Sequence, residues 1–181
     1  MAIKIVFVTG GAKSGKSSFV LDKASGVRGK KAFIATAEAL DDEMNERIGR
    51  HKTERGDEWE TYEVPLKVSE ALIDATGRHS AVVMDCLTIW LSNILIGEVD
   101  TEENVNKLVA TLTEIKESPV CTTGPGCSVL YIVSNEVGMG IVPENGLARE
   151  FRDLAGGLNQ RIAEISDEVY LVVAGIPVKI K

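Results

Sequence analysis

An α/β fold with a mainly parallel sheet and helices on both faces is what three features of this 181-residue sequence predict. Short apolar runs of strand length alternate with segments of helical periodicity, the pattern of strands joined by helical crossovers. The first apolar run, residues 3–8, leads straight into a glycine-rich loop and then a helix-forming segment. The chain closes on two strand-like runs separated only by Gly175-Ile176-Pro177. That connection is too short for a crossover, so the last strand is expected to run antiparallel as a sheet edge. At this length the simplest organisation is one domain over residues 1–181.

The elements follow in order. After the strand at 3–8, a helix is expected from Lys16 to about Ala24, and a second strand over 31–35. Asp41, Asp42 and Glu43 supply a cap and first-turn acids for a helix running to about Arg55. Residues 60–64 read as a short strand stopped by Pro65, and 68–75 as a short helix. Ala81-Val82-Val83-Met84 is an apolar strand ending on Asp85. An apolar helix over 87–95 follows, then one that Thr101 is placed to cap, with Glu102 and Glu103 in its first turn. Pro119 and Gly124-Pro125-Gly126 mark a loop before the strand at 128–133. Leu147, Phe151, Leu154, Leu158 and Ile162 recur at helical spacing as one core-facing stripe. Gly156-Gly157 inside it costs helix propensity of ~1 kcal/mol each, which either a close packing partner or no structural reason at all accounts for. Strands at 168–173 and 178–180 end the chain.

Residues 10–17 read GGAKSGKS and fit G-x-x-x-x-G-K-[ST], with Gly10, Gly15, Lys16 and Ser17 in the defining places and Gly11, Ala12, Lys13 and Ser14 between them. Glycines let the backbone turn tightly and bring N–H groups to phosphate oxygens with no Cβ in the way. Lys16 then reaches the β- and γ-phosphates, and the Ser17 hydroxyl takes one position on Mg²⁺. The strand before and the helix after are the context this P-loop needs, since a helix N-terminus favours an anion. The expectation is therefore a P-loop NTPase-like (RecA-like) sheet. Ligands of such sheets bind at the carboxyl ends of the strands, a rule that gathers the P-loop, Ala35-Thr36-Ala37, Asp85 and the segment 135–145 on one rim. Asp85 closes an apolar strand, as the Mg²⁺-supporting acid does in P-loop proteins. An acidic strand end facing water is the plainer alternative; the P-loop upstream favours the metal role.

In the expected helix ending at Arg55, Arg47, His51 and Arg55 fall on one line at four-residue spacing. Cations on both sides disfavour protonation of His51. A neutral imidazole is a nucleophile, and the arginines suit phosphate oxygens. Spacing alone favours an ordinary solvated helix face, with His51 a plain polar residue. His79, in an expected loop, receives no role.

Composition narrows the function classes. Apolar residues make up 44% of the chain, enough for a core, and the net charge of −7 argues against a nucleic-acid-binding surface. Three cysteines, Cys86, Cys121 and Cys127, do not make a disulfide framework and suit a reducing compartment. Cys121 and Cys127 have the spacing to pair or share a metal, but no third ligand stands near, so free thiols are expected. The apolar run after Lys4 is too short for a secretory signal. The stretch from Cys86 to Ile96 falls short of the ~20 residues of a membrane span. A soluble, cytoplasmic protein is the expectation.

Several stretches together resemble a known family. In order they are GGAKSGKS, Ile34-Ala35-Thr36, Leu40-Asp41-Asp42-Glu43-Met44, Arg47-Ile48-x-x-His51-Lys52, the run NEVGMGIVPE at 135–144, Arg152-Asp153-x-Ala155-Gly156 and Asn159-Gln160. They resemble the bifunctional adenosylcobinamide kinase / adenosylcobinamide-phosphate guanylyltransferase family of cobalamin synthesis, over essentially the whole chain. The resemblance implies phosphorylation of the aminopropanol hydroxyl of adenosylcobinamide by ATP or GTP. It implies a second reaction, in which GTP loses pyrophosphate to leave GMP on a histidine and the GMP passes to the corrinoid phosphate. By matching, that histidine is His51. The nucleotide would touch Gly10 to Ser17, Ala35, Thr36, Ala37, Lys52, Thr53, Glu54, Arg55, Glu63 and Asp85. A homotrimer with sites between subunits is also implied. Some members carry a second histidine just before the nucleophile, where this chain has Arg50, so a paired-histidine mechanism does not transfer. Glu136 and Asp85 are both placed to take the substrate hydroxyl proton. The rival readings are a nucleotide switch or motor and a kinase without guanylyl transfer. Covalent labelling from α-phosphate-labelled GTP separates all three.

Overall fold

Along β1 (Lys4–Gly10) the buried side chains divide between two cores: Ile5 and Phe7 join one, Val6 and Val8 the other. A strand buried on both sides lies inside a covered sheet. The computed structural model describes residues 2–37, 56, 58–97, 99–117 and 127–181. Its other strands are β2 (Lys31–Ala35), β3 (Trp59–Glu63), β4 (Ala81–Asp85), β5 (Val129–Val133), β6 (Glu168–Val173) and β7 (Ile176–Lys179). They form one sheet in the order β3-β2-β4-β5-β1-β6-β7, parallel throughout except for the antiparallel β6–β7 pair. The described helices are α1 (Lys16–Ser25), α2 (Val68–Arg78), α3 (Leu87–Ile96), α4 (Thr101–Glu117) and α5 (Gly146–Ile165).

The described helices divide unequally between the two faces. Val20 and Ala24 of α1 pack with Val6, Val8, Val83 and Val133 on one face. The other holds the larger core, where Leu72, Trp90, Leu91, Ile94, Leu108, Leu112, Leu158 and Ile162 from α2 to α5 meet Ile5, Phe7, Met84 and Ile132. This is the mostly parallel sheet with helices on both faces and an antiparallel edge that the sequence pattern implied. No described helix is long and apolar enough to cross a membrane.

Some local expectations needed correction. Asp100, not Thr101, caps α4: the Glu103 N–H donates to Asp100 Oδ1 at 2.9 Å, and Thr101 is the first helical residue. Strand β7 starts at Ile176, because Ala174 (φ 50°) and Gly175 (φ 82°) alone form the turn. Both residues of such a two-residue hairpin turn take the left-handed conformation. Leu147 is 55% exposed, since it lies in the first turn of α5 before the stripe reaches the core at Ala155, Leu158 and Ile162. Among the described residues a Cβ at Gly156 or Gly157 meets nothing within 4 Å, so no described neighbour explains the pair. His79 lies in the short connection after α2, as expected, but is buried there: its Nδ1 lies 3.1 Å from the Ala75 carbonyl and its Nε2 3.0 Å from Glu60 Oε2. Cys86 and Cys127 are free, buried thiols, and burial pushes Cys127 up to about 11. The expected helix over 42–55 and Cys121 lie outside the described residues.

At the end of the sheet remote from the P-loop, Glu168 of β6 meets Lys179 of β7 at 2.7 Å and Lys4 of β1 at 3.0 Å. Lys179 first, then Lys4, hold its carboxyl down at about 2, against an ordinary 4.5. A carboxylate whose folded value is depressed contributes stability that is complete above its unfolded value and lost as pH falls through the folded one. The Tm of Glu168→Gln should therefore vary less than wild type between pH 4.5 and about 2. Parallel Tm-against-pH curves for the two proteins would contradict this role.

Candidate active site

The P-loop is held from two sides by backbone. A Cβ at Gly10 would stand 2.3 Å from the Val172 carbonyl oxygen of β6, a distance no side chain tolerates. The Gly10 carbonyl in turn accepts the Glu136 N–H at 2.9 Å. Further along, the Ser14 carbonyl accepts the N–H of Gly175, in the β6–β7 turn, at 2.8 Å. Gly15 enters α1 at φ 98°. The first turn of α1 has no side-chain cap and no acidic residue of its own, as suits an anion-binding helix N-terminus.

Lys16 follows and is only 6% exposed; its Nζ donates to the Gly11 carbonyl at 2.6 Å. Burial lowers its pKa, opposed by the negative charge of Asp85 and then by Cys86. Ser17 Oγ donates to Asp85 Oδ2 at 2.5 Å. That contact unites the two residues read as Mg²⁺ ligands, although β5 separates their strands in the sheet. A hydroxyl and a carboxylate are the hard oxygen donors Mg²⁺ takes, with water and phosphate completing its shell. The residues fit the ion.

Sheet register aligns the rest of the rim. Glu63 is level with Ala35, Ala35 with Asp85, Asp85 with Val133, and Val133 with Val8. Thr36 and Ala37 continue from β2 beside Asp85, and the Thr36 N–H donates to the Asp85 carbonyl at 3.3 Å. So Gly10 to Ser17, Ala35 to Ala37, Glu63 and Asp85 share one end of the sheet. His51, Lys52, Thr53, Glu54 and Arg55 lie outside the described residues.

Sequence reasoning did not single out the buried polar network beneath this rim. Thr36 Oγ1 donates to the Cys86 carbonyl (2.9 Å) and accepts the Cys86 N–H (2.8 Å). Asn93 Nδ2 donates to the Thr36 carbonyl at 2.8 Å and to that of Pro65 at 3.1 Å. Thr88 Oγ1 accepts from Asn135 Nδ2 at 2.9 Å. Asn159, on α5, accepts from Ser134 Oγ at 2.7 Å and donates to the Asn135 carbonyl at 3.2 Å. The available signal was polar residues inside apolar segments: Thr88 and Asn93 interrupt α3, and Asn159 sits between Leu158 and Ile162. Asn159→Ala leaves the buried Ser134 hydroxyl and the part-buried Asn135 carbonyl short of a partner, so urea unfolding should show a loss of about 1–3 kcal/mol. A loss below about 0.5 kcal/mol, the range of an ordinary surface substitution, would remove Asn159 from the rim's support.

Comparison with known proteins bears on the whole chain. The family model for cobinamide kinase / cobinamide phosphate guanyltransferase matches residues 6–180. The chain is 41% identical over 181 residues to the bifunctional adenosylcobalamin biosynthesis protein CobU of Salmonella typhimurium, covering 98% of this chain and 99% of that protein. To the protein of the same name from Escherichia coli K12 it is 38% identical over 181 residues, with the same coverage. Pseudomonas aeruginosa has a similar bifunctional protein, CobP, 36% identical over 174 residues, 96% of this chain and 95% of that one. Among solved structures, a prototypical ATPase from the type III secretion system of pathogenic bacteria matches with a TM-score of 0.51 at 13% identity, over 97% of this chain and 56% of that one. That likeness concerns the fold alone. Similarity at this identity, running from the P-loop strand to the final edge strand, makes the chain a member of the cobinamide kinase / cobinamide phosphate guanyltransferase family.

Proposed function

We propose that this enzyme phosphorylates the aminopropanol hydroxyl of adenosylcobinamide, with ATP or GTP as donor, and then transfers GMP from GTP to the phosphate so formed. The observation that carries the reading is the intact P-loop, with Lys16 buried in it and Ser17 against Asp85, in a chain that matches its bifunctional relatives from end to end.

In the kinase step the substrate oxygen attacks the γ-phosphorus and the bond to the nucleoside diphosphate breaks. Such a transition state is loose, so positioning and charge stabilisation supply most of the rate. The N–H groups of the P-loop and α1 hold the phosphates, and Lys16 faces the charge growing on the leaving oxygens. Ser17 and Asp85 would hold Mg²⁺, which when bound neutralises charge on the phosphates. The hydroxyl proton goes to one of two rim carboxylates: Asp85, whose Oδ2 accepts from Ser17, or Glu136, whose Oε1 accepts the Gly138 N–H and whose own N–H donates to Gly10.

In the guanylyl step the neutral His51 imidazole attacks the α-phosphorus of GTP. A nitrogen–phosphorus bond forms and pyrophosphate leaves, with the P-loop as its seat. The corrinoid phosphate oxygen then attacks the same phosphorus and His51 departs. One difficult displacement becomes two easier ones. The motif match and the cations Arg47 and Arg55 at four-residue spacing support His51 in this role.

We further propose a cytoplasmic homotrimer. Ile176, Val178 and Ile180 are exposed along the edge strand, and the open Gly156-Gly157 face leaves room for a neighbouring copy. Sedimentation should give a mass near three 19.5 kDa chains; a fully active monomer would exclude the trimer.

The decisive experiment incubates the protein with GTP labelled at the α-phosphate and denatures it. Label should stay on the wild-type chain, survive base and be released by acid, as a phosphoramidate is. His51→Ala should lose the label and guanylyl transfer yet keep much of its kinase activity. Lys16→Ala should lose at least about a hundredfold in both reactions. Acid-labile GMP on the His51→Ala variant would place the nucleophile elsewhere, and slow hydrolysis without any transfer would make the protein a switch or motor.

A further inference from the structure

The loop over residues 136–145 is tied at both ends and apolar in the middle. At its start the Glu136 N–H donates to Gly10 and Glu136 Oε1 accepts the Gly138 N–H at 2.9 Å. At its end Asn145 caps α5 by accepting the Ala148 N–H at 3.1 Å. Arg149 Nη1 donates to the carbonyls of Pro143 (2.9 Å) and Glu144 (2.6 Å). Between these anchors Met139 is 79% exposed, Ile141 97% and Val142 61%. A patch of large apolar side chains held out by hydrogen-bonded ends marks a contact surface. Residues 136–147 carry two carboxylates, Glu136 and Glu144, and no lysine or arginine.

We propose that the crest at 139–142 seats the corrin ring of cobinamide while its hydroxyl arm reaches the P-loop. This inference rests on the cobinamide reading above. An attacking hydroxyl must come within about 3–3.5 Å of the γ-phosphorus, so the ring at the other end of the short arm lies on surface adjoining the P-loop. The loop is such a surface, beginning on the Gly10 carbonyl. The chemistry matches too. The ring has a methyl-bearing periphery, and trivalent cobalt with a monoanionic ring and one adenosyl carbanion leaves a net positive charge. The apolar crest complements the first property and the carboxylates of Glu136 and Glu144 on either side of it the second, with the Arg149 guanidinium turned onto the backbone of 143 and 144.

The test uses the full chain with Met139 and Ile141 both replaced by Ser, and a second variant, Ile141→Leu. Equilibrium dialysis of adenosylcobinamide reads its Kd, while nucleotide Kd, Tm and solution mass are followed in parallel. The double Ser variant should bind the corrinoid about tenfold or more weakly, with the other three values as in wild type. Ile141→Leu should bind as wild type does. An unchanged corrinoid Kd in the double variant overturns the proposal. So does a fall in solution mass, which would make the crest a contact between copies. Wild-type protein that binds no cobinamide removes the functional reading and this proposal together, whereas loss confined to the Ser variant is expected from this proposal alone.

Discussion

Gly10 has no room for a side chain, and the arrangement of the site depends on that. The Val172 carbonyl occupies the place a Cβ would take, while the Gly10 carbonyl receives the Glu136 N–H from beyond β5. The first residue of the P-loop is thus clasped between the two strands that flank β1. The β6–β7 turn adds a second hold through the Gly175 N–H on Ser14. A loop fixed at Gly10 and Ser14 delivers α1 across the sheet, where the helix packs over β1, β5 and β4. That path explains how Ser17 meets Asp85 with a whole strand between theirs.

Below the loop, the side chains of β2, β4 and β5 are almost wholly apolar and give the strand ends few directional contacts beyond the backbone ladder. Thr36, Thr88, Asn93, Asn135 and Asn159 supply them. Each bond is modest on its own, but a buried polar group left without a partner is expensive, so a satisfied network admits one arrangement and penalises others. The network joins the ends of β2, β4 and β5 to α3 and α5. The residues around the phosphate site are therefore held by packing on two faces and by hydrogen bonds along the rim.

A firmly held P-loop suits an enzyme with two reactions. In the proposed scheme its task, holding phosphate charge beside Lys16, is common to attack at the γ- and the α-phosphorus. What differs is the nucleophile, a substrate hydroxyl in one case and His51 in the other under the proposed scheme. Separating the reacting groups from the charge-neutralising ones lets one site serve both.

Local features carried much of this in the sequence. Strands at 31–35, 81–85 and 168–173, the P-loop, the helix after it and the antiparallel edge follow from apolar runs, glycine placement and a connection too short for a crossover. These preferences act over a few neighbouring residues. Where two neighbours compete, as Asp100 and Thr101 do for the α4 cap, the local signal was ambiguous by one residue. The burial of the loop residue His79 had no local signal, because its partner Glu60 is nineteen positions away. Only the tertiary structure decided that β5 lies between β1 and β4, that Val172 presses on Gly10, and that Asn159 of α5 completes the polar rim. Those contacts join residues as far apart as the two ends of the chain, and the order of strands that creates them is set by the packing of the whole sheet rather than by any stretch of sequence.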